Sequence, residues 1–449
     1  MRSSRTNALI LFSAAMCAVA VACSDDPLNP DSAAGDPASI QLPGNAVGLY
    51  PGESVVIVPV VLDSAGRKLA AVDVIWTVSD TSVIRVDPSG TVRAVAQGTA
   101  LLSIEAGSVS ETVPVRVTRF TQISGIQRDF CALDLEGVAW CRGVSWGGVL
   151  GPETLSRDVF RQMQVGLRFS SITVGHYHAC GLADGRAYCW GDNHEGPLGR
   201  DGFDADGLPP DTVSGGHAFV SITAGYEHTC ALDTDGVVWC WGRPHEGQLG
   251  RGQASPTYRN VPAPVDGDHE WTLVDAGWEN TCGVATDGLT YCWGALNGEW
   301  SPAPVANMPS GAHVLSGDGV IACAGTGPLV YCRSGVAWRP DVSFTGLVTL
   351  PGPVTDLSSY GQHACAIIDG GELYCWGPEA GVMLGNGSTA GSSEPVQVMP
   401  GEHFTDVISG GTRTCALTEE GAVYCWGGDV WDGSGIPSAF PVRIGAPLP

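Results

Sequence analysis

The chain has 449 residues, 47 acidic against 22 basic side chains and a formal charge of −25. That length exceeds one small core and suits two or three domains. Lys68 is the only lysine, so no basic patch exists to neutralise phosphates, and no nucleic acid is expected as a partner.

The chain opens MRSSRTNALILFSAAMCAVAVACSDD, with Arg2 and Arg5 before an apolar run over 8–22 and Cys23 after Ala20-Val21-Ala22. A charged start, a short apolar core and a small-residue cleavage site describe an export signal over 1–22 rather than a membrane span. The residues before Cys23 resemble a bacterial lipobox, with Ala20 where leucine is usual. The resemblance implies lipid attachment at Cys23 and an exported lipoprotein of the outer membrane or cell surface; cleavage nearby by an ordinary signal peptidase, leaving a secreted protein, is the alternative. No later segment offers the roughly 18 consecutive apolar residues of a span, so the lipid is the only expected membrane contact. Residues 23–37 are polar, acidic and rich in Pro and small side chains, the composition of a flexible linker.

From 38 to 118 short β-branched runs alternate with turn residues, which predicts a small antiparallel sandwich without cysteine. The stretch VIWTVSDTSVIRVDPSGTVRAVAQGTALLSIEA resembles bacterial immunoglobulin-like group 2 domains, with Trp76, Ser79-Asp80, Val86-Asp87, Gly90 and Gly98-Thr99 at the typical places. That resemblance implies Trp76 in the core, turns at Gly90 and Gly98, and a stalk.

After Thr118 the cysteines pair locally: Cys131 with Cys141, Cys180 with Cys189, Cys230 with Cys240, Cys282 with Cys292, Cys323 with Cys332, Cys365 with Cys375 and Cys415 with Cys425. Successive first cysteines lie 49, 50, 52, 41, 42 and 50 residues apart, the period of a propeller or solenoid. In CALDTDGVVWCWG, opposing Cys230 to Cys240 centres a three-residue turn on Asp235 and puts Gly236 where a left-handed residue is wanted. Gly137, Gly288, Gly371 and Gly421 recur there. Cys180 and Cys189 are one residue closer, and their centre falls on Asp184-Gly185, the pair favoured in a two-residue turn; Gly327-Pro328 fits less well. Opposed strand positions lie within disulfide reach, and export makes such bonds chemically sensible. One pair per repeat cannot supply four zinc ligands; reduced, buried thiols remain the other reading.

Repeat three, VSITAGYEHTCALDTDGVVWCWGRPHEGQLG, resembles the regulator of chromosome condensation family in Gly225 and His228, Asp235-Gly236, Trp241-Gly242 and Gly247 to Gly250. Repeat two matches at Gly175, His178, Trp190-Gly191 and Gly196 to Gly199, and Trp293, Trp376 and Trp426 repeat the tryptophan; Arg142 and Arg333 replace it in repeats one and five. The resemblance implies an all-β fold over 119–449, a seven-bladed β-propeller with an N-terminal immunoglobulin-like β-sandwich. Repeat one lacks the Pro-Val strand that precedes the other hairpins, so the C-terminal PVRI is expected to pair with blade one and close the ring.

His178, His228 and His363 each precede a first cysteine by two residues, with Asp129, Asn280, Ile321 and Arg413 elsewhere; a structural hydrogen bond within each blade is expected. Asp201, Asp204, Asp206 and Asp211 crowd one loop, read as solvated, with calcium as the lesser alternative. Trp146, Trp278, Trp300, Trp338 and Trp431 lie outside the repeated tryptophan position, and Trp146 and Trp300 are the candidate binding anchors, in loops whose lengths vary at 142–165, 192–216, 243–268 and in the shortened fourth and fifth units. No catalytic set, cofactor or metal site emerges. The expected function is a monomeric, surface-tethered, non-enzymatic binding protein for an unknown protein or glycan. An envelope hydrolase with its site over the axis is the alternative, and inhibition of an extracytoplasmic enzyme a lesser one; export argues against the nucleotide-exchange activity for which the family was first known.

Overall fold

The computed structural model describes residues 36–449 apart from 71, 127–128, 144–158, 164–165, 203–206, 253–258, 297, 319–320, 335–345, 379 and 429–435. Cys23 and Trp146, with Trp338 and Trp431, fall outside the described residues.

Nine strands between Ser39 and Val117 form the N-terminal unit. Val47–Leu49, Val109–Val117, Gly98–Ala106 and Ile75–Val78 make one sheet, and Ser54–Val56, Thr91–Ala94 and Ile84–Val86 another; Ser39–Gln41 pairs with Val60–Leu62. Alternation turns Ile84, Val92, Leu102, Ile104, Val113 and Val115 inward to one core. Two details differ from expectation. Val47–Leu49 runs parallel to Val115–Val117. Trp76 is half-buried at the margin of the core, its ring resting on Gly90, where a Cβ would lie 2.7 Å from Trp76 Cζ2.

Seven four-stranded antiparallel sheets follow, each built from consecutive strands. Their first strands, Phe120–Ile126, Ser171–Val174, Phe219–Ala224, Trp271–Ala276, Val314–Asp318, Val354–Tyr360 and Phe404–Gly410, contact one another in sequence, and the last returns to the first. The sheets therefore form a closed ring, with first strands inside. Backbone pairing does not continue between sheets, so the inner strands would leave edge N–H groups unpaired. Side chains supply the acceptors at all seven junctions. Ser124 accepts from Val174 (2.9 Å), Thr173 from Ala224 (3.0 Å), Thr223 from Ala276 (3.1 Å), Asp275 from Gly317 (2.7 Å), Ser316 from Ser359 (2.8 Å), Ser358 from Ser409 (2.8 Å) and Asp406 from Ile123 (2.8 Å).

The C-terminal strand does not close the ring as expected. Ser438–Arg443 pairs with Val423–Gly427 of its own sheet, Val442 opposite Cys425, and the outer strand of the first sheet is Arg161–Gln162. Each Pro-Val strand belongs to the hairpin before it, returning after the loop that follows the second cysteine to pair with that strand, as Ala263 does opposite Cys240.

All seven cysteine pairs stand directly opposite one another and are disulfide-bonded: Cys131 to Cys141, Cys180 to Cys189, Cys230 to Cys240, Cys282 to Cys292, Cys323 to Cys332, Cys365 to Cys375 and Cys415 to Cys425, with Cα atoms 4.0–4.2 Å apart. The reading of these residues as buried free thiols is thereby set aside. Gly236 has φ +79° and Asp184-Gly185 φ +50° and +73°, as the two turn lengths require.

Each bond lies within one sheet, yet its sulfurs are packed by the next. Trp190 covers Cys131 and Cys141, Trp241 covers Cys180 and Cys189, and Trp293 covers Cys230 and Cys240. Trp376 covers Cys323 and Cys332, and Trp426 covers Cys365 and Cys375. The next sheet brings Arg333 instead of tryptophan to the fourth junction, and there Cys282 and Cys292 pack with Leu296, Val305 and Ala322. Cys415 and Cys425 lie with Phe120 and Phe160 in the seam where the ring closes.

The N-terminal unit is not a detached stalk. Tyr50 is buried in the seam between the seventh and first sheets with Phe120, Phe160, Leu417 and Ile444. Glu53 pairs with Arg443, Thr118 N–H bonds Leu49 O at 3.0 Å, and the Arg116 guanidinium lies 4.9 Å from the Trp140 ring centroid.

Candidate functional site: the mouth of the axis

Antiparallel succession gives the ring two unlike faces. The cysteine hairpin turns and the connections into the next sheet lie at one end. The turns from first to second strand and the long loops from third to fourth strand lie at the other. Backbone bonds tie the two parts of this second face together: Asp192 N–H to Tyr177 O, Arg243 N–H to Glu227 O and Ala295 N–H to Glu279 O, each 2.9 Å. The variable loops and the mouth of the axis thus share one face.

In three successive sheets the residue after the glycine of the first turn is aromatic: His176, Tyr226 and Trp278. Neighbouring turns are joined by His176 N–H to Tyr226 O at 3.3 Å and Tyr226 N–H to Gly277 O at 3.2 Å. The rings form a continuous set, His176 to Tyr226 at 4.5 Å, Tyr226 to Trp278 stacked at 4.6 Å and 9°, and Trp278 to Tyr360 of the sixth sheet at 6.4 Å. Trp278 and Tyr360 come from sheets that are not adjacent, so the stack reaches across the mouth. All four residues are half-buried.

Charged residues follow the rings in sequence and stand beside them. Arg243 lies 3.0 Å from Glu227 and 3.8 Å from Glu279, with side chains 23%, 18% and 17% exposed. Partial burial lifts Glu227 above the ordinary carboxylate range despite Arg243, with Glu195 and Asp192 adding to the rise. Burial lifts Glu279 too, against Arg243 and with Glu246. Burial works to lower Arg243, but Glu227 and Glu279 outweigh it and hold it above its usual value. One guanidinium gains from every carboxylate near it, while each carboxylate has a share of one cation. Burial, with the hydrogen bond that its hydroxyl donates to Tyr177, raises the Tyr226 phenol.

A buried network fixes the rim beneath these loops. His228 Nε2 meets Thr281 Oγ1 at 2.9 Å; that hydroxyl donates to Gln248 O at 2.9 Å, and Trp293 Nε1 donates to the same carbonyl at 2.9 Å. His178, Thr229, Pro197 O and Trp241 repeat it, as do His363, Thr414, Met383 O and Trp426. The threonine's single proton is committed to the carbonyl, so the histidine must donate through Nε2. Burial pushes His178 and His228 down to about 3 and His363 to about 4, so these rings are neutral. The expected hydrogen bond within each blade is corrected: it runs to the next sheet. Histidine occurs only in sheets whose successor carries threonine; Asn280 and Ile321 precede Ala322 and Ala364, Arg413 precedes Phe130, and Asp129 precedes Ala179. Gly250, at φ +67°, ends the loop because a Cβ there would lie 2.9 Å from Trp293 Nε1.

The other expected residues fall elsewhere. Trp300 sits on the strand Glu299–Pro304 rather than in a loop, half-buried against Gly247, since the loop of the fourth unit is short enough for residue 299 to rejoin the sheet opposite Gly294. In the acidic loop, Asp204 and Asp206 lie outside the described residues, Asp211 stands 3.6 Å from Arg200, and the described residues hold no His, Cys, Asp and Glu cluster of metal-binding geometry. Of the two singled-out tryptophans among the described residues, Trp278 joins the mouth and Trp300 does not; His176 and Tyr226 were missed, although their shared place after the repeated glycine was visible.

Family comparison agrees with the repeat pattern. The regulator of chromosome condensation (RCC1) repeat matches residues 169–196, 219–248 and 404–430 by one family model and 184–232 and 235–284 by another. Those stretches match RCC1-type repeats. It is 26% identical over 340 residues to the E3 ubiquitin-protein ligase HERC2 of Homo sapiens, covering 67% of this chain and 7% of the ligase. It is 28% identical over 270 residues to the ultraviolet-B receptor UVR8 of Arabidopsis thaliana, covering 57% of this chain and 53% of the receptor. The chain thus spans a small part of the first relative and about half of the second. Similar solved structures include human WBSCR16, at TM-score 0.47 and 16% identity over 81% of this chain and 89% of that one. Prp20p from Saccharomyces cerevisiae, whose binding to Gsp1p and histones was studied, gives TM-score 0.46 and 16% identity over 83% and 86%.

Proposed function

We propose that the protein is a non-enzymatic binding protein tethered to the cell surface. In this reading Cys23 carries lipid, 24–37 is the spacer, 38–118 an immunoglobulin-like unit and 119–449 a seven-bladed propeller whose axial mouth receives a protein partner. The observation that carries it is the stack His176, Tyr226 and Trp278, half-exposed on the face that also bears the variable loops. Strands and junctions are consumed by pairing and core packing, which leaves this face to encode a partner. A glycan partner, or an enzyme inhibited by the same face, uses the same surface.

The hydrolase reading has one observation in its favour, carboxylates raised by burial beside the axis. Glu227 and Glu279 share Arg243, however, and a general acid needs a proton to give rather than a standing ion pair. The test is capture from native envelope by the full mature chain. Trp278→Ala and Tyr226→Ala should each weaken capture of the bound protein by about thirtyfold, as for an interface hot spot. Phe440→Ala, on the outer rim of the seventh sheet, should leave it unchanged. Equal capture by all variants, or an envelope-polymer hydrolysis lost on Glu227→Gln, refutes the proposal. Anchoring is tested separately: Cys23→Ala should move the protein from the membrane to the soluble fraction, and unchanged membrane attachment refutes the lipid.

A further inference from the structure

Resting on the binding reading above, we infer that the axial mouth takes a cationic segment of its partner, an arginine or lysine side chain laid along the exposed edge of the His176, Tyr226 and Trp278 stack, beside the cluster in which Arg243 bridges Glu227 and Glu279. Geometry places one acid directly after each of the last two rings, so Tyr226-Glu227 and Trp278-Glu279 present a π-system and a carboxylate together. The carboxylates attract a guanidinium or ammonium group by charge, and the exposed edges of the rings give its stem an apolar surface.

The mouth holds more acid than base. Glu227 feels Asp192 and Glu195, and Glu279 feels Glu246, whereas Arg243 is the cation shared between them at 3.0 and 3.8 Å. His194 meets Asp192 at 2.9 Å and adds charge only when protonated. Burial is the first cause of the rise of both glutamates, and the neighbouring carboxylates add to it against Arg243. A second cation would relieve it. The chain itself is poorly supplied, with 22 basic against 47 acidic residues and its lone lysine, Lys68, in the N-terminal unit.

The shape favours a side chain projecting from a partner. The rings are stacked, His176 on Tyr226 and Tyr226 on Trp278, partly exposed at the mouth and bordered by residues 192–202 and 243–252. A long aliphatic stem can lie along Tyr226 and Trp278 while its charged end reaches the glutamates. An acidic or phosphorylated segment would meet five carboxylates.

The test uses the full, oxidised chain with two nonapeptides of alternating glycine and charged residue, one with arginine and one with glutamate, and cellohexaose as neutral glycan, all read by calorimetry. The arginine peptide should bind with strong salt dependence and the other two should not. Glu227→Gln/Glu279→Gln should weaken it about tenfold and flatten the salt dependence with the folded circular dichroism spectrum unchanged; Trp278→Ala should weaken it about thirtyfold, and Trp278→Phe should restore most of that. Arginine-peptide binding indifferent to all these changes is attraction to an acidic chain at large and overturns the inference, as does cellohexaose binding in its place. If capture of the native partner needs Trp278 yet ignores the double glutamine change, the inference fails while the binding reading stands. If capture ignores both, the binding reading itself has failed.

Discussion

Thr281→Val removes one hydroxyl from the network that fixes the rim and leaves the volume unchanged. Thr281 and His228 are fully buried. The threonine proton goes to Gln248 O at 2.9 Å, and His228 Nε2–H points at the threonine oxygen at 2.9 Å. Losing the first bond costs about 1 kcal/mol, because Trp293 Nε1 still serves that carbonyl at 2.9 Å. The stranded imidazole N–H costs a further ~1–3 kcal/mol, since it is buried away from solvent. The sum is about 2–4 kcal/mol, measurable by urea unfolding followed through tryptophan fluorescence with disulfides intact. Thr281→Ser keeps the hydroxyl and should cost about 1 kcal/mol for one buried methyl. Hydrogen exchange should speed at 244–252, where the carbonyl lies, and stay unchanged at 414–426, where a separate copy of the network acts. In a His228→Asn background the valine change should cost less, the difference being the coupling between the two residues. A loss under about 0.5 kcal/mol, or the same loss with and without His228, refutes the network.

Asp356 is pushed up to about 6 and Asp406 well above its usual range, both first by burial. A raised acid holds a proton in the fold that the unfolded chain releases, so its contribution falls as pH rises through about 6. Asp356→Asn keeps an acceptor for Val407 N–H without the charge, and should match the parent at about pH 3, below the ordinary carboxylate value, and exceed it by about 2–3 kcal/mol at pH 8 in urea unfolding. Equal effects at both pH values would show that the charge is not the cause. Non-reducing peptide maps should give the seven local cysteine pairs, and millimolar dithiothreitol should leave them intact in native buffer, their cysteines being 0–1% exposed; prompt thiol labelling of folded protein would refute that protection. Tyr50→Ala should cost about 3–5 kcal/mol, the range for large buried aromatics, and raise exchange at 120–126 and 438–444; a change confined to the N-terminal unit would mean that the seam does not depend on it.

Local chemistry was the legible part. Cysteine spacing, the turn residues that adjust to it and the Trp-Gly signature are short-range facts, each of which narrows one strand pairing. The phase of the repeat was not legible in the same way. A cyclic repeat can be cut before or after its Pro-Val strand with the same period, and only the pairing of Cys425 with Val442 decides between them. The histidines were placed correctly as structural and wrongly as internal to a blade. Their link to the following threonine spans about fifty residues, which hairpin reasoning does not compare. The mouth was half-visible: Trp278 was noted, but loop length drew attention to Trp146 and Trp300, whereas the ring stack depends on one turn position repeated across adjacent sheets.

The seam between the seventh and first sheets shows why the N-terminal unit is part of the ring. At three other junctions a histidine, a threonine and a tryptophan join neighbouring sheets. Here the corresponding residues are Arg413, Phe130 and Arg142, so that device is absent. Aromatic packing takes its place. Phe160 lies 5.1 Å from Phe120 and 5.7 Å from Phe130, with the Arg142 guanidinium 5.2 Å from its centroid. Tyr50 completes the group edge-on to Phe120 at 6.0 Å, and Ile444 enters from the C-terminal tail. Without Tyr50 this core would open to water at the one junction whose sheets are joined by no connecting peptide. Phe120 starts only three residues after the last strand of the N-terminal unit ends at Val117, so the unit is delivered to the seam by the chain itself. A ring whose two ends are joined by no peptide, only by packing and by bonds such as Ile123 N–H to Asp406, gains from a clasp where they meet, and the N-terminal unit occupies that place.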